Sequence, residues 1–136
     1  MAMSDAEIDA LLAEPLVSVF GTVDAQGRPA QSPVWHLWRD GSAVVLMDRA
    51  SRKWRNLSRN PNASLCVDTK QAPYRAVILE GAAEEAEGDY RALLRAAAVH
   101  YLGERGGEAY VRRSEATPES SVIVRLTPRR IVSWAY

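Results

Sequence analysis

Apolar and polar positions along the chain change period several times, and each change marks an element. In "SDAEIDALLA" (4–13), Ile8, Leu11 and Leu12 recur on one helical face. Ser4 with Glu7 three residues on gives a capping-box pattern, and Pro15 stops the helix. "LVSVFGTV" (16–23) is rich in β-branched residues and runs into the turn signal "DAQGRP", so it predicts a strand. Further strands are predicted over 30–38, "AQSPVWHLW", and 42–48, "SAVVLMD". Three short strands on tight turns describe an antiparallel meander. A short helix runs from Ser51 to about Arg59 and stops at Asn60-Pro61. Strands follow over 63–68 and 74–86, where Gly81 marks a bulge or bend. "DYRALLRAAAVHYL" (89–102) is the strongest helical pattern and ends at Gly103, with a turn or two of helix to follow in "GGEAYVRR". Strand character returns over 120–128 and 130–136. Seven strand segments with a few helices predict an α+β, mainly antiparallel domain, a barrel with helical crossovers.

Composition narrows the function classes. With 136 residues and 47% apolar content, the chain makes one domain (1–136) with one core. Seventeen basic residues balance seventeen acidic ones, which argues against a surface devoted to nucleic acid or anionic lipid. The single cysteine, Cys66, excludes an internal disulfide, and within "ASLCV" it reads as a small buried hydrophobe. His36 and His100 are far apart with no carboxylate pairing, so no metal site is expected. No apolar run approaches a membrane span, and the N-terminus is acidic, so the expected compartment is the cytoplasm.

The charge balance makes "SRKWRNL" (51–57) conspicuous. Arg49, Arg52, Lys53, Arg55 and Arg59 fall within eleven positions with no acidic residue among them. Ser51 can cap a helix whose free N–H groups suit an anion. Arg52 and Lys53 then occupy the first turn, where the helix dipole opposes cations unless a phosphate is held there. The alternative is a solvated helix face, with Trp54 and Leu57 fastening the helix to the barrel.

Three stretches in order, "GTVDAQGRPAQSPVWHLW", "SRKWRNLSRNPNASLCV" and "VRLTPRRIVSWAY", resemble the pyridoxamine 5′-phosphate oxidase-like family of flavin-binding split barrels, over roughly Leu11 to Tyr136. The resemblance implies a split β-barrel and a homodimer with two cofactor sites at the subunit interface. It implies that Ser51, Arg52 and Lys53 hold the cofactor phosphate, with Asn56 assisting. It places Ser32, Pro33, Val34 and Trp35 along the ring edge, largely through backbone, Met47 beside the ring, and Trp134 near the partner's cofactor. "PVW" in the second strand and "HYLGERGGEAYV" are closest to the subgroup linked to the deazaflavin coenzyme F420, and FMN is the other candidate cofactor. The family's oxidases continue past this Trp into a basic segment that grips the substrate phosphate. Two residues follow Trp134 here, so oxidation of pyridoxamine 5′-phosphate is not expected.

The remaining tempting residues read as structural. His36 either polarises a substrate or lines the barrel, and His100 lies mid-helix among Ala and Val. Tyr74 and Arg75 form a strand edge, and the acids from Glu80 to Asp89 suit a solvated rim and a helix start. No catalytic acid or base is identifiable. The expected function is an oxidoreductase moving a hydride between F420 or FMN and a small organic substrate. The alternative is a non-catalytic flavin, F420 or haem carrier or sensor. A barrel that binds nucleic acid through the Arg49–Arg59 cluster is opposed by the zero net charge.

Overall fold

A computed structural model describes all residues, 1–136. The element order is α1 (Asp5–Leu12), β1 (Ser18–Val23), β2 (Pro29–Val34), β3 (Leu37–Arg39), β4 (Ser42–Asp48), α2 (Arg52–Arg59), β5 (Asn62–Asp68), β6 (Arg75–Glu85), α3 (Tyr90–Arg113) and β7 (Ser121–Ala135). The seven strands form one antiparallel sheet in the order β2-β1-β5-β6-β7-β4-β3. The expected α+β, mainly antiparallel architecture holds, as a curled half-barrel with three helices.

The curl follows from connectivity. β2 and β3 lie at opposite ends of the sheet, yet only Trp35 and His36 separate them in sequence. Six strand spacings in a flat sheet would set those edges about 29 Å apart. Three extended residue steps reach roughly 11 Å. The sheet must therefore bend round until its edges nearly meet. Two expectations change in consequence. The segment 30–38 is two strands on opposite edges, not one. The predicted meander is split into two hairpins, β1–β2 and β3–β4, at opposite ends of the sheet. At the other end of the chain, 120–128 and 130–136 join into one strand. Pro128 is tolerated within β7 because pairing with β4 ends at Leu126, leaving that edge free. Gly81 does sit at a bulge, where the β6–β7 register shifts after Glu80; a Cβ there would meet the Thr127 carbonyl oxygen at 2.1 Å.

Alternation along β4 and β7 divides the core in two. Val45, Met47, Val122, Val124 and Leu126 face the barrel interior, which Leu11 and Leu12 of α1 cap from one end. The α1 capping box is present as expected. Val44 and Ile123 face outward and pack with Leu37 beneath Tyr90, Leu94 and Ala97 of α3. α3 turns at Gly103 (φ 79°), and its second arm packs so closely that a Cβ on Gly107 would lie 2.5 Å from the Val99 nitrogen. No helix is long and apolar enough to cross a membrane.

His36 fastens the seam and is structural. It is 1% exposed, and the Leu12 carbonyl lies 2.8 Å from Nε2. A carbonyl only accepts, so Nε2 carries the proton and Nδ1 accepts from Ser18 Oγ at 2.8 Å. The Tyr101 hydroxyl accepts from the His36 amide at 3.0 Å and donates to the Leu16 carbonyl at 2.8 Å. One side chain thus ties the β2–β3 link to α1 and β1, while Tyr101 ties it to α3. Burial is the main cause holding the His36 imidazole below the usual histidine range, against the opposing effect of the Leu12 bond.

Because the folded protein disfavours the imidazolium, the unfolded chain binds the proton more readily, and stability falls as pH drops below about 6.5. The midpoint of urea unfolding is expected to fall between pH 7 and pH 5. His36→Gln is expected to be less stable at pH 7 yet to lose less on acidification. An unchanged pH slope in that variant would assign the acid sensitivity to another group.

Candidate functional site

Helix α2 forms where the sequence predicts it, and Ser51 caps it by accepting from the Trp54 amide at 3.3 Å. Leu57 is buried in the barrel core with Trp54 packed against it. Asn56 is 1% exposed; its amide donates to Thr22 Oγ1 at 3.0 Å and its oxygen accepts from Arg59 at 3.2 Å. These contacts pin the helix across β1 and leave a small polar cavity of about 110 Å³ beside its first turn. Ser32, Arg52, Lys53 and Asn56 line it together with Phe20, Thr22, Ala30 and Gln31.

The five cations divide by what they touch. Arg49 pairs with Glu85 at 2.9 Å and donates to the Ser121 carbonyl, and Arg55 donates to the Ala50 carbonyl at 2.9 Å. Arg59 is held by Asn56. Arg52 lies 3.5 Å from the Asp24 carboxylate and still borders the cavity. Lys53 is half-buried and ion-paired to no carboxylate. Beside these two cations the Ser32 hydroxyl is buried with no hydrogen-bond partner. Buried hydroxyls are almost always satisfied, so an orphan in a cationic cavity is the mark of a site built for an acceptor.

Lys53 also lines a second, larger cavity of about 630 Å³. It lies between α3 and the outer face of β3 and β4. Pro33, Val34 and Trp35 form one side, and Leu37, Val44 and Leu46 form another, with Met47 of the barrel core at the border. The stripe Tyr90, Leu94 and Ala97 closes it from α3, with Tyr110 from the second arm. Trp35 is a fixed wall: its ring stacks on Tyr101 at 5.1 Å and 11° and meets Tyr110 at 5.0 Å and 51°. Neither histidine lines either cavity. Burial pushes the Cys66 thiol up, away from reactivity, and it lies in neither cavity.

Eight of the sequence-derived site residues therefore gather around two cavities that share Lys53 as a lining residue. Ser32, Arg52 and Asn56 border the small one, Pro33, Val34, Trp35 and Met47 the large one. Ser51 borders neither and spends its hydroxyl on the helix cap. Trp134 also borders neither; it pairs with Ala76 across β6 and β7. Ser32 borders the polar cavity, and its hydroxyl is buried without a partner. The α3 wall was missed, although the spacing of Tyr90, Leu94 and Ala97 marks one helical face.

The donor set fits a phosphate-bearing tricyclic cofactor. Two cations and an unpaired hydroxyl suit a phosphate, and the adjoining cavity has the size and aromatic lining of a small-molecule site. Ser32→Ala is expected to stabilise the ligand-free protein by up to about 1 kcal/mol, because the hydroxyl's desolvation is uncompensated there. The same change is expected to weaken binding of inorganic phosphate. Paired thermal melts and phosphate titrations check both signs, and a destabilised variant would show that the hydroxyl serves the fold.

Comparison with known proteins agrees with this geometry. The family model for pyridoxamine 5′-phosphate oxidase matches residues 4–135. A pyridoxine/pyridoxamine 5′-phosphate oxidase from Acidothermus cellulolyticus is 46% identical over 55 residues, which are 40% of this chain and 25% of that enzyme. The chain thus spans a quarter of that relative's length in the matched stretch. Among solved structures, an F420 reductase superposes with a TM-score of 0.74 at 23% identity, covering 90% of this chain and 94% of that one. A haem-binding protein from Mycobacterium smegmatis superposes at 0.72 with 26% identity, covering 98% and 55% respectively. With the match running over nearly its whole length and the curled sheet in common, the chain belongs to the pyridoxamine 5′-phosphate oxidase family and folds as one of its split barrels.

Proposed function

We propose that this protein is an oxidoreductase that binds FMN or F420 and moves a hydride between it and a small organic substrate. The observation that carries the reading is the orphaned Ser32 hydroxyl at the small cavity that Arg52 and Lys53 line, with Lys53 also lining an aromatic-walled cavity. The cofactor supplies the hydride chemistry. The chain's residues bind, orient and shield. Arg52, Lys53 and Ser32 hold the phosphate. Trp35, fixed by Tyr101, and Met47 bound the space for the ring, and the apolar α3 face excludes water from the reacting edge. No side chain in the large cavity forms an acid–base pair, which suits hydride transfer that needs none from the protein.

The same absence suits a second reading, a carrier or sensor that holds the group without turnover. Haem is the less suitable cargo here. Both ring nitrogens of His36 are occupied, and His100 packs edge-on against Tyr101, so no histidine is presented to the cavity as an axial ligand. A homodimer accompanies the proposal, because Val17 and Tyr110 leave the mouth of the large cavity apolar and exposed, and a second copy seated there would close it.

Replacing Arg52 and Lys53 together by Gln is expected to leave thermal unfolding nearly unchanged and to weaken FMN or F420 binding by roughly two to four powers of ten. Each charge-assisted bond to phosphate contributes on the order of 1.5–3 kcal/mol, and 1.4 kcal/mol is a decade of affinity. Arg59→Gln is expected to cost far less. Absorbance titrations with each cofactor decide it: equal affinity for parent and double variant would remove the cationic turn from the site. Turnover with a reductant and a panel of acceptors separates enzyme from carrier. Sedimentation at micromolar concentration is expected to show a dimer, and a single species near 15.0 kDa would defeat that part of the reading.

A further inference from the structure

Arg52 stands in an awkward place for a residue that must meet an anion reproducibly. It sits in the first turn of α2, which holds no acidic residue to offset the dipole, and its side chain is 61% exposed. A long, solvated arginine in that position samples many rotamers, and ordering it on ligand binding costs affinity. One contact restrains it, and it comes from the β1–β2 turn.

That turn is built around Asp24. Its Oδ1 accepts from the Gln26 amide at 2.9 Å and the Arg28 amide at 2.8 Å, and its Oδ2 accepts from Arg28 Nε at 3.1 Å. The Asp24 amide donates to the Arg28 carbonyl at 2.8 Å. The carboxylate is therefore locked, keeping 9% of its exposure although it lies at the protein surface. Its Oδ2 also stands 3.5 Å from the Arg52 guanidinium. In this same arrangement Arg52 borders the small cavity that Ser32 and Lys53 line. The pair and the cavity-facing position are one geometry, not alternatives. A planar guanidinium offers donors on two edges, so it can meet a carboxylate and a phosphate together.

We propose that Asp24 is a positioning residue that fixes the Arg52 guanidinium at the anion cavity; this rests on the phosphate reading of that cavity. The consequence runs against simple electrostatics. Removing a negative charge near an anion site should tighten anion binding. If Asp24 orients Arg52, removing it weakens binding, because Arg28 and two backbone amides already compensate the carboxylate within the turn.

The test uses Asp24→Asn, which keeps an oxygen acceptor for the Gln26 and Arg28 amides, and Asp24→Ser as a second turn-compatible variant. Each is titrated with FMN, F420 and inorganic phosphate, with a thermal melt to establish folding. About tenfold weaker binding is expected for whichever ligands the parent binds. In an Arg52→Gln background the same changes are expected to cost less than twofold, whereas a general structural defect would persist there. Binding as tight as the parent or tighter in the Asp24 variants, or an undiminished loss without Arg52, would overturn the proposal. A parent that binds none of the three ligands would instead defeat the cavity reading, and this inference with it.

Discussion

Two residues bridging opposite edges of a seven-stranded sheet constrain everything else in this molecule. Trp35 and His36 cannot span a flat sheet, so the sheet bends, and the bend brings Pro33 and Val34 of one edge strand beside Met47 near the other. The large cavity has this juxtaposition as its floor. His36 and Trp35 have opposite duties within the link. The imidazole turns inward, where Ser18 of β1 and the Leu12 carbonyl of α1 hold it, while Tyr101 of α3 takes the backbone amide. The indole turns toward α3, where two tyrosines sandwich it. A histidine that the sequence leaves between substrate contact and barrel lining is thus a rivet, and its neighbour is the wall.

Charge is organised on the same plan. A chain with no net charge still keeps Arg52 and Lys53 at one cavity while the neighbouring cations take other partners. Glu85 takes Arg49, and backbone or amide oxygens take Arg55 and Arg59. Of the five clustered cations Lys53 alone is left without a fixed partner, and it lines both cavities. On the proposed reading, a cation shared by both cavities would set the direction of an elongated ligand with one anionic end.

The elements with strong local signals were readable from the sequence. The α1 capping box, the Ser51 cap, the break at Gly103 and the bulge at Gly81 all depend on one or two residues whose backbone demands are specific. The split of 30–38 into two edge strands was not readable, because its cause is a buried network reaching from Leu12 to Tyr101, far apart in sequence. The union of 120–128 with 130–136 was hidden for a related reason. Pro128 reads as a break unless one knows that its outer edge has no strand to serve. The site divides in the same way. Cations clustered in sequence pointed to the small cavity proposed here for an anion, whereas the α3 wall became a wall only once the sheet had curled beneath it.

The strand order also dictates when the sheet can form. The β1–β2 and β3–β4 hairpins are local and can form early, but they sit at opposite ends of the sheet. β5, β6 and β7 must fill the gap between them, and β7 is the strand that joins β6 to β4. Until β7 is available, β4 and β6 present open edges with nothing to pair. Folding on the ribosome would therefore hold two hairpins and a partial sheet waiting on β7, a state in which exposed strand edges invite association with other chains.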